Sequence, residues 1–379
     1  MSPFAFEKRK SGFSGTILRA ATLVFALFTI LSAHVSLVSP ALFWYIAILG
    51  LFFPFFLIIN LIFLIIWLLR RRVFLFVPLA ALLLCIPRLP EYFQIDGKPV
   101  PQSDTNGKPI KVMSYNVRLF DLYNWTHNKE TRASIFAYFD KEQPDILCMQ
   151  EFFNSTGKLF HNETDLKTFL KAKYAHVEYP IILRGADCWG IATYSTFPIV
   201  GKGVLYFDEK TANICIYTDI ATPQDTIRVY NCHLQSVRFR DEDYRFFEDL
   251  GEGQEEMEKL RSTRRIISRL RRAYIKRASQ AELIAAHIKE SPYPVILCGD
   301  FNDTPASYTY QTISDHLIDS FRESGSGTGT SYAGPLPGLR IDYLLHSDAF
   351  KSFGFETQNI RLSDHFPIQA TLFRKKQPL

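Results

Sequence analysis

Polar side chains recur in this sequence at the ends of short apolar runs that resemble β-strands. Asn116 ends the run IKVMSYN, Gln150 and Glu151 end the run ILCMQE, and His233 ends the run IRVYNCH. Later runs end in, or lead into, a second group of polar residues: Asp300, Asn302, Asp303, Asp342, Ser363, Asp364 and His365. Because ligands of α/β sheets collect at strand ends, we expect these side chains to meet in one site.

The residue types in this set suit metal-assisted hydrolysis of a phosphate ester. Carboxylate and amide oxygens are hard ligands that favour Mg²⁺ or Mn²⁺. Such an ion polarises a phosphoryl oxygen and stabilises the departing oxygen, and a histidine oriented by a carboxylate can activate water. Each residue alone is ordinary, because Asp and Asn in a segment such as GDFND are typical turn formers. The ordered set, however, indicates a hydrolase.

The motifs YNVR, QE, NCHL, GDFND, RIDY and SDHFP occur in this order along the chain. In order and rough spacing they resemble the endonuclease/exonuclease/phosphatase superfamily, which includes DNase I-like nucleases, apurinic-site endonucleases, neutral sphingomyelinases and inositol polyphosphate 5-phosphatases. The resemblance extends roughly from residue 111 to residue 374. It implies an α/β fold, namely a four-layer sandwich in which two packed mixed sheets are flanked by helices.

The resemblance also implies a role for each residue of the metal site and of the water-activating pair. Glu151 would be the principal metal ligand, with Asn116 beside it, and Asp364 would ligate or orient the metal site. The ion would be Mg²⁺ or Mn²⁺. His365 would be the general base, oriented by Asp342, and would activate water in line with the scissile bond.

Three further residues would handle the phosphate. By the same resemblance, Asp300 and Asn302 would position the attacking water and hold phosphoryl oxygens, and His233 would contact the phosphate and help to protonate the leaving oxygen. Since no motif departs from the family pattern, an active enzyme is favoured over a catalytically inactive binding module of the same fold. A nuclease, a phospholipid or sphingomyelin phosphodiesterase and a phosphatase all stay open as the enzyme's identity, because fold does not decide substrate.

One long helix is predicted between the strands, over residues 254–289, and its charge is divided. Residues 241–258 are strongly acidic, whereas residues 261–277 contain eight Lys or Arg and no acid. Such a basic run is typical of a solvated helix face, and it also suits contact with anionic lipid or with a phosphate-bearing substrate. A shorter helix is predicted over residues 131–139.

Three apolar segments precede residue 90, at residues 17–38, 41–69 and 73–86. A membrane span needs roughly 20 apolar residues, so the first two are long enough, although Pro54 interrupts the second. The third has only about 14 residues and would be a short span, a re-entrant piece or an interfacial piece. The expected organisation is a transmembrane anchor of two to three helices over residues 1–90, a linker over 91–109 and a hydrolase domain over 110–379.

The basic residues around these segments predict the orientation of the anchor. Residues 8–10 and Arg19 precede or open the first segment, and three arginines at 70–72 follow the second. Positive residues stay on the cytoplasmic side, so both clusters are expected inside. Three spans would place the hydrolase domain on the non-cytoplasmic side, whereas two would place it in the cytoplasm; we favour three. The lipid bilayer is thus an expected partner, beside the phosphate-ester substrate.

The remaining composition excludes little. The net charge of +5 is too small to indicate nucleic-acid binding by itself. The six cysteines form no CxxC or Cys/His cluster of the kind that binds zinc, and their positions in apolar runs are typical of small buried hydrophobic residues.

Overall fold

The computed structural model describes residues 13–101, 108–157, 159–207, 211–239, 242–243, 256–336 and 338–375. The basic cluster at residues 8–10 and most of the acidic run at 241–258 lie outside the described residues. Four apolar helices come first: α1 Phe13–Ala33, α2 Pro40–Leu51, α3 Phe53–Leu69 and α4 Phe76–Cys85. Short 3₁₀ turns, Val35–Leu37, Val73–Leu75 and Ile86–Glu91, connect or extend them.

Two six-stranded sheets follow. Sheet A contains β1 Ile110–Asn116, β2 Ile146–Ser155, β3 Tyr174–Leu183, β4 Asp187–Ser195, β11 Phe350–Thr357 and β12 Ile368–Arg374, in the order β11-β12-β1-β2-β4-β3. Sheet B contains β5 Ile199–Leu205, β6 Ile214–Ala221, β7 Thr226–His233, β8 Val295–Asp300, β9 Ile318–Asp319 and β10 Asp342–His346, in the order β5-β6-β7-β8-β10-β9. The predicted four-layer α/β sandwich is confirmed.

Five helices accompany the sheets in the described part of the chain. They are α5 Thr131–Glu142, α6 Asn162–Phe169, α7 Glu256–Lys289, α8 Tyr308–Ser314 and α9 Ser320–Ser324. The helix predicted over 131–139 therefore continues to Glu142, and the long predicted helix is α7.

The layers follow from the alternation of side chains along each strand. Val112 and Ile146 of sheet A meet Val229 and Ile296 of sheet B in the core between the sheets. The outer face of sheet A is covered by α5 and α6, and the outer face of sheet B by α7 and α8. All six cysteines are buried.

In the N-terminal region, α1, α3 and α4 pack against one another. The indole Nε1 of Trp67 donates to Thr22 Oγ1 at 2.9 Å, and Asn60 Nδ2 donates to the carbonyl oxygen of Pro78 at 3.2 Å. Thr29, near the end of α1, donates to the carbonyl of Phe56 near the start of α3, so α1 and α3 are antiparallel. The bundle is joined by hydrogen bonds between polar side chains and backbone that face inward.

The second apolar segment is not one straight helix. It bends by 54° between α2 and α3, with the break at Phe52, because Pro54 in the first turn of α3 cannot continue a preceding helix. The third segment is longer than predicted: helical structure runs over Val73–Glu91, through the 3₁₀ turn that contains Pro87 and Pro90. By length and composition, Gly15–Ala33 and Val73–Glu91 are each able to cross a membrane, and the bent pair would add a third span if counted as one.

Helix α2 packs both on the bundle and on the sandwich. Ala47 and Ile48 contact a patch on α7 formed by Ile266, Leu270 and Tyr274. Gly50 lies so close to Val35 that an added Cβ would be 2.7 Å from its Cγ2 atom. The close approach requires glycine at this corner.

The chain enters the sandwich through a set of hydrogen bonds that begins at Glu91. The Glu91 carbonyl accepts from Arg340 Nη2 at 2.7 Å, and its carboxylate accepts from Gln311 at 3.0 Å. The next residue, Tyr92, accepts from the backbone N–H of Ala306 at 3.0 Å. Further on, the backbone N–H of Lys98 donates to Ser324. The start of the segment predicted as a linker is therefore attached to the hydrolase domain.

Candidate functional site

Two pairs of parallel strands bring the predicted residues to one edge of the sandwich. Strand β1 pairs with β2 in parallel, which places Asn116 beside Gln150. Strand β7 pairs with β8 in the same way, which places His233 beside Asp300. Strand β10 runs antiparallel to β8 and starts with Asp342 directly opposite Asp300. The carboxyl-terminal ends of these parallel strands therefore lie at the same edge of the sandwich as the start of β10.

Glu151 reaches the site through an irregularity in β2. The pairing of β2 with β4 shifts register between Met149 and Phe152, and Glu151 has a φ of +49°. A bulge of this kind re-aims a side chain, and the Glu151 side chain is one-third exposed at the cleft. Its neighbour Gln150 instead points between the sheets, where Nε2 donates to Asn231 Oδ1 at 2.7 Å. Gln150 joins the two sheets.

His365 and Asp342 form a close pair, as the sequence predicted. His365 Nδ1 lies 2.8 Å from Asp342 Oδ2, and the ring of Tyr332 meets the imidazole edge-on at 5.6 Å between centroids. His365 Nε2 is left facing Asp300 Oδ2 at 3.7 Å. Burial alone would lower the pKa of His365, but the charges of Asp342 and Asp300 outweigh it, and the net pKa lies well above the usual value.

Asp300 occupies the centre of the cluster. Its Oδ2 accepts from Asn116 Nδ2 at 3.0 Å and from Asn302 Nδ2 at 3.1 Å, and its Oδ1 accepts from the Asn302 N–H at 2.8 Å. The preceding Gly299 is required by close packing, since an added Cβ would lie 2.2 Å from the carbonyl oxygen of Cys232. The GDFN segment therefore holds Asp300 and Asn302 by backbone geometry as well as by side-chain contacts.

His233 faces both carboxylates from the other side. Its Nε2 lies 3.7 Å from Glu151 Oε1 and 3.7 Å from Asp300 Oδ2, and this buried nitrogen has no hydrogen-bond partner among the described residues. Burial lowers the pKa of His233, and the charge of Arg238 lowers it further, against the opposing effect of Asp300. The lowered pKa favours the neutral imidazole, and a further negative charge beside Nε2 would favour its protonation.

Two residues behave differently from a simple motif reading. Asp303 of GDFND is buried and pairs with Arg277 at 3.0 Å, and it also accepts from Thr309 at 2.9 Å, so it supports the loop from behind. Arg118, to which the sequence analysis gave no role, lies 3.3 Å from Asp364 Oδ2 and stacks over the ring of Trp125. Arg118 is the last residue of the YNVR motif, so the motif could have drawn attention to it.

The carboxylates at the edge repel one another, which bears on metal binding. The pKa of Glu151 is raised to about 7 by burial and by the charges of Asp364 and Asp300, although His365 and a hydrogen bond from Asn116 oppose the shift. Burial and the nearby Asp342 likewise raise the pKa of Asp300. A bound cation would relieve this repulsion, and the oxygen donors of Glu151 and Asp364 fit a hard divalent ion.

One compact group of carboxylate and imidazole donor atoms differs from the predicted metal set. Asp300, Asp342 and His365 each offer a donor atom within 4.8 Å of the others, whereas the sequence assigned Glu151, Asn116 and Asp364 to the metal. The two sets are adjacent, because Asn116 donates to Asp300. Since the Nδ1 atom of His365 already bonds to Asp342, His365 could offer an ion only its Nε2 atom.

A family profile described as the Endonuclease/Exonuclease/phosphatase family matches residues 113–365, well over half of the chain. A second profile, described only as a domain of unknown function, matches residues 15–92. No curated protein matches the sequence.

Several solved structures share the fold. An endonuclease/exonuclease/phosphatase protein from Beutenbergia cavernae is 18% identical with a TM-score of 0.51, over 72% of this chain and 73% of that one. A mannosyl-6-phosphatase from Bacteroides thetaiotaomicron is 18% identical with a TM-score of 0.50, over 69% and 99%. The human Nocturnin catalytic domain with bound sulfate is 17% identical with a TM-score of 0.50, over 72% and 96%. At these identities the likeness concerns the fold.

Proposed function

The chain belongs to the endonuclease/exonuclease/phosphatase family, and from this membership we propose a membrane-anchored, divalent-metal-dependent phosphoesterase that cleaves phosphodiester or phosphomonoester bonds by in-line attack of water. The family establishes a hydrolase of phosphate esters. The observation that carries the finer proposal is the cluster at the sandwich edge, where the His365–Asp342 pair at 2.8 Å faces Asp300 beside Glu151.

We assign the metal to the oxygens of Glu151, Asn116 and Asp364. A bound Mg²⁺ or Mn²⁺ supplies charge that polarises the phosphoryl group and stabilises the leaving oxygen. Glu151 is offered to the cleft by its bulge, and Arg118 holds Asp364 in place at 3.3 Å. Leaving His365 outside the metal set keeps its Nε2 available for a proton.

Within the proposal, the charge of a bound cation would offset Asp300 and Asp364 and so lower the raised pKa of His365, and the neutral imidazole would take a proton from the attacking water. Asp342 accepts the hydrogen bond of Nδ1–H, which fixes the tautomer that exposes a basic Nε2 and stabilises the imidazolium that forms. Asp300 and Asn302 lie next to Nε2 and can orient the water and the phosphoryl oxygens. His233 faces the same space and is neutral until the phosphate arrives, whose negative charge raises the pKa of the imidazole for donation to the leaving oxygen.

The proposed anchor is a bundle of α1, α3 and the segment Val73–Glu91. Support comes from their length and apolar composition, from the outward-facing apolar side chains, and from the inward hydrogen bonds of Trp67 and Asn60. Arg19 stacks on Phe74, at the end of the bundle that also carries the turn at residues 70–72. The opposite end, at Phe53 and Tyr92, meets Ala306 of the sandwich.

This arrangement supports a non-cytoplasmic hydrolase domain. Basic residues stay on the cytoplasmic side of spans, and the sandwich joins the bundle at the end away from Arg19 and residues 70–72. Protease treatment of intact cells tests the orientation: residues after Pro101 should be cleaved from outside. Protection of this region until the membrane is broken would place the domain in the cytoplasm.

The activity test uses the full chain in neutral detergent with a bis-aryl phosphodiester, plasmid DNA, sphingomyelin and a phosphomonoester. Hydrolysis should require Mg²⁺ or Mn²⁺, stop in EDTA and return with added metal. Full activity after exhaustive chelation would exclude metal dependence. Failure to hydrolyse any of the four substrates would contradict the proposed phosphoesterase activity.

A matched pair of variants distinguishes the two donor sets. Glu151→Gln should weaken Mn²⁺ binding by about tenfold or more, because it removes a charged ligand, whereas Asp342→Asn should lower turnover with a smaller effect on metal affinity. Equilibrium Mn²⁺ binding, followed by electron paramagnetic resonance, measures this directly. The reverse ranking would move the metal to Asp300, Asp342 and His365.

A further inference from the structure

A cavity beside the catalytic edge of the sandwich is lined by basic residues. It has a volume of about 260 Å³ and lies between the loop after β7 and the first half of α7. Its charged side chains are Arg238, Arg269, Arg272 and Lys276, and its neutral polar ones include Gln235 and Ser236. No acidic side chain lines it among the residues that the structure describes.

Within the described ranges, one of the cavity's arginines has an acidic partner. Asp243 lies 3.5 Å from Arg269, and it also pairs with Arg265. By contrast, the guanidinium of Arg272 contacts only the hydroxyl of Ser268 within the described ranges, and Arg238 has no side-chain partner there. Clustered like charges of this kind repel one another unless an anion binds between them.

The backbone positions Arg238 at the cavity. Arg238 has a φ of +55°, in the left-handed region that a long side chain rarely adopts. Its carbonyl accepts a hydrogen bond from Arg269 Nη1, which holds this conformation against α7. Two cavity residues from different elements are thereby fixed relative to each other.

The cavity is a short distance from the reacting groups. Gln235 lines the cavity and is two residues after His233, so their Cα atoms are within about 7 Å of each other. The carbonyl between them, that of Leu234, accepts from Asn302 Nδ2 at 3.2 Å. Arg277 ties the same loop to Asp303 by donating to the Gln235 carbonyl at 2.8 Å. The wall of the cavity and the phosphate-holding residues therefore form one connected unit.

We propose that this cavity binds a phosphate group of the substrate other than the one being hydrolysed. The inference rests on the proposed phosphoesterase function and narrows its substrate class to molecules with two phosphates separated by a short linker. Arginine suits this task because its planar fork of N–H donors matches phosphate oxygens. The second phosphate belongs to a lipid headgroup or to a soluble ester, and the two sources share this chemistry.

Matched ligands with one or two phosphates test the proposal by binding, without need of turnover. For the soluble source, bis(glycerophospho)glycerol is compared with glycerophosphoglycerol by calorimetry on the full-length His365→Ala variant in neutral detergent with Mg²⁺, because this variant is expected to hydrolyse either ligand only slowly. For the lipid source, the full chain is placed in phosphatidylcholine vesicles. Its affinity for added cardiolipin is then compared with its affinity for added phosphatidylglycerol. We expect the two-phosphate ligand to bind about tenfold tighter or more in at least one arm, since charge-assisted hydrogen bonds are strong. The arm that shows the preference identifies the source.

Charge-reversal variants assign the preference to the cavity. Arg238→Glu with Arg272→Glu should abolish it, whereas Arg261→Glu with Arg264→Glu, the same charge change at exposed positions of α7 outside the cavity, should preserve it. Thermal melts establish that both variants fold, and the single variants are used if the double one does not. Equal affinity for the two ligands in both arms overturns the proposal. A preference that persists in the variant with Arg238→Glu and Arg272→Glu also overturns it. In either case hydrolysis of a bis-aryl phosphodiester still reports separately on the proposed function.

Discussion

The N-terminal bundle and the hydrolase domain differ in where their apolar side chains lie. In the bundle, Leu23 and Ile58 are 52% and 58% exposed, while Thr22 and Asn60 are fully buried. In the sandwich the pattern is the usual one, with Val112 and Ile296 fully buried between the sheets. The two regions of the chain therefore differ in whether apolar side chains face outward or inward.

Under the proposed membrane anchor, the difference reflects two different solvents. In water, apolar burial drives folding, and the sandwich core follows from it. Against lipid tails there is no such gain, and helices associate through packing and interhelical hydrogen bonds. The Trp67–Thr22 and Asn60–Pro78 contacts are of that kind, which is why the comparison supports the proposed anchor better than length alone.

Loss of His365 is expected to have the largest effect, which is on catalysis. Replacing His365 with Ala should lower turnover by roughly 10²–10⁴-fold, because general-base assistance contributes about that much. The exposed His316 provides the control, and His316→Ala should leave the rate unchanged. Steady-state kinetics with a soluble phosphodiester measures both. A rate for His365→Ala within a few-fold of the parent would remove His365 from its assigned role.

The next largest effect separates the two solvents. Leu23→Lys should destabilise insertion by about 2.5–3.5 kcal/mol, the cost of lysine at the centre of a span. Ile182→Lys in β3 changes a residue of nearly equal exposure, 58%, and should shift stability by less than about 0.5 kcal/mol. Membrane fractionation and thermal melts report on the two variants. Equal tolerance at both positions would break the comparison.

A pH-dependent loss of stability is expected in the hydrolase domain. Burial, with help from Lys202, lowers the pKa of His176 from 6.5 to about 4, and its Nδ1 pairs with Thr218 across the sheets. The unfolded chain binds the proton more readily, so this contribution is fully present above about pH 6.5 and is lost as the pH falls towards 4. The loss is at most about 3 kcal/mol. Denaturant melts from pH 7 to 4 should show it, and His176→Gln should flatten the profile.

The smallest expected effect lies inside the bundle. Trp67→Phe removes the 2.9 Å hydrogen bond to Thr22 and should cost about 0.6 kcal/mol, as for typical interhelical hydrogen bonds in membranes. A double-mutant cycle with Thr22→Val, measured by unfolding in detergent, isolates this term. A coupling of several kcal/mol would mean that the bundle is held together differently from a membrane protein.

The sequence predicted which polar residues end strands better than it predicted the contacts among them. Asn116, His233 and Asp300 were identifiable because each ends a strand, and the proximity of His365 and Asp342 followed from the family resemblance. The inward turn of Gln150 was not identifiable, because a bulge in β2 separates it from Glu151. Periodicity does not register a single inserted residue, and that residue decides which side chain faces the cleft.

The helical region was harder to delimit. Pro54 indicated a break in the second segment, but the packing of α2 against α7 was not evident from the sequence, because it joins parts of the chain more than 200 residues apart. The third segment was underestimated because Pro87 and Pro90 normally end an α-helix, whereas here the chain continues as a 3₁₀ turn. Arg118 was missed for a similar reason, since its partner Asp364 is distant in sequence.

The attachment at Glu91 has a consequence for how the enzyme meets its substrate. A free linker of about 20 residues would let the domain roam over roughly 25 Å. Here the last turn of the third helical segment and the first residues after it are held by Arg340, Gln311 and Ala306. With the bundle in a membrane, as proposed, the catalytic cleft would keep one height and one tilt above the membrane plane. It would meet substrate in a thin layer parallel to that plane, and lateral diffusion of the whole molecule would replace swinging of the domain.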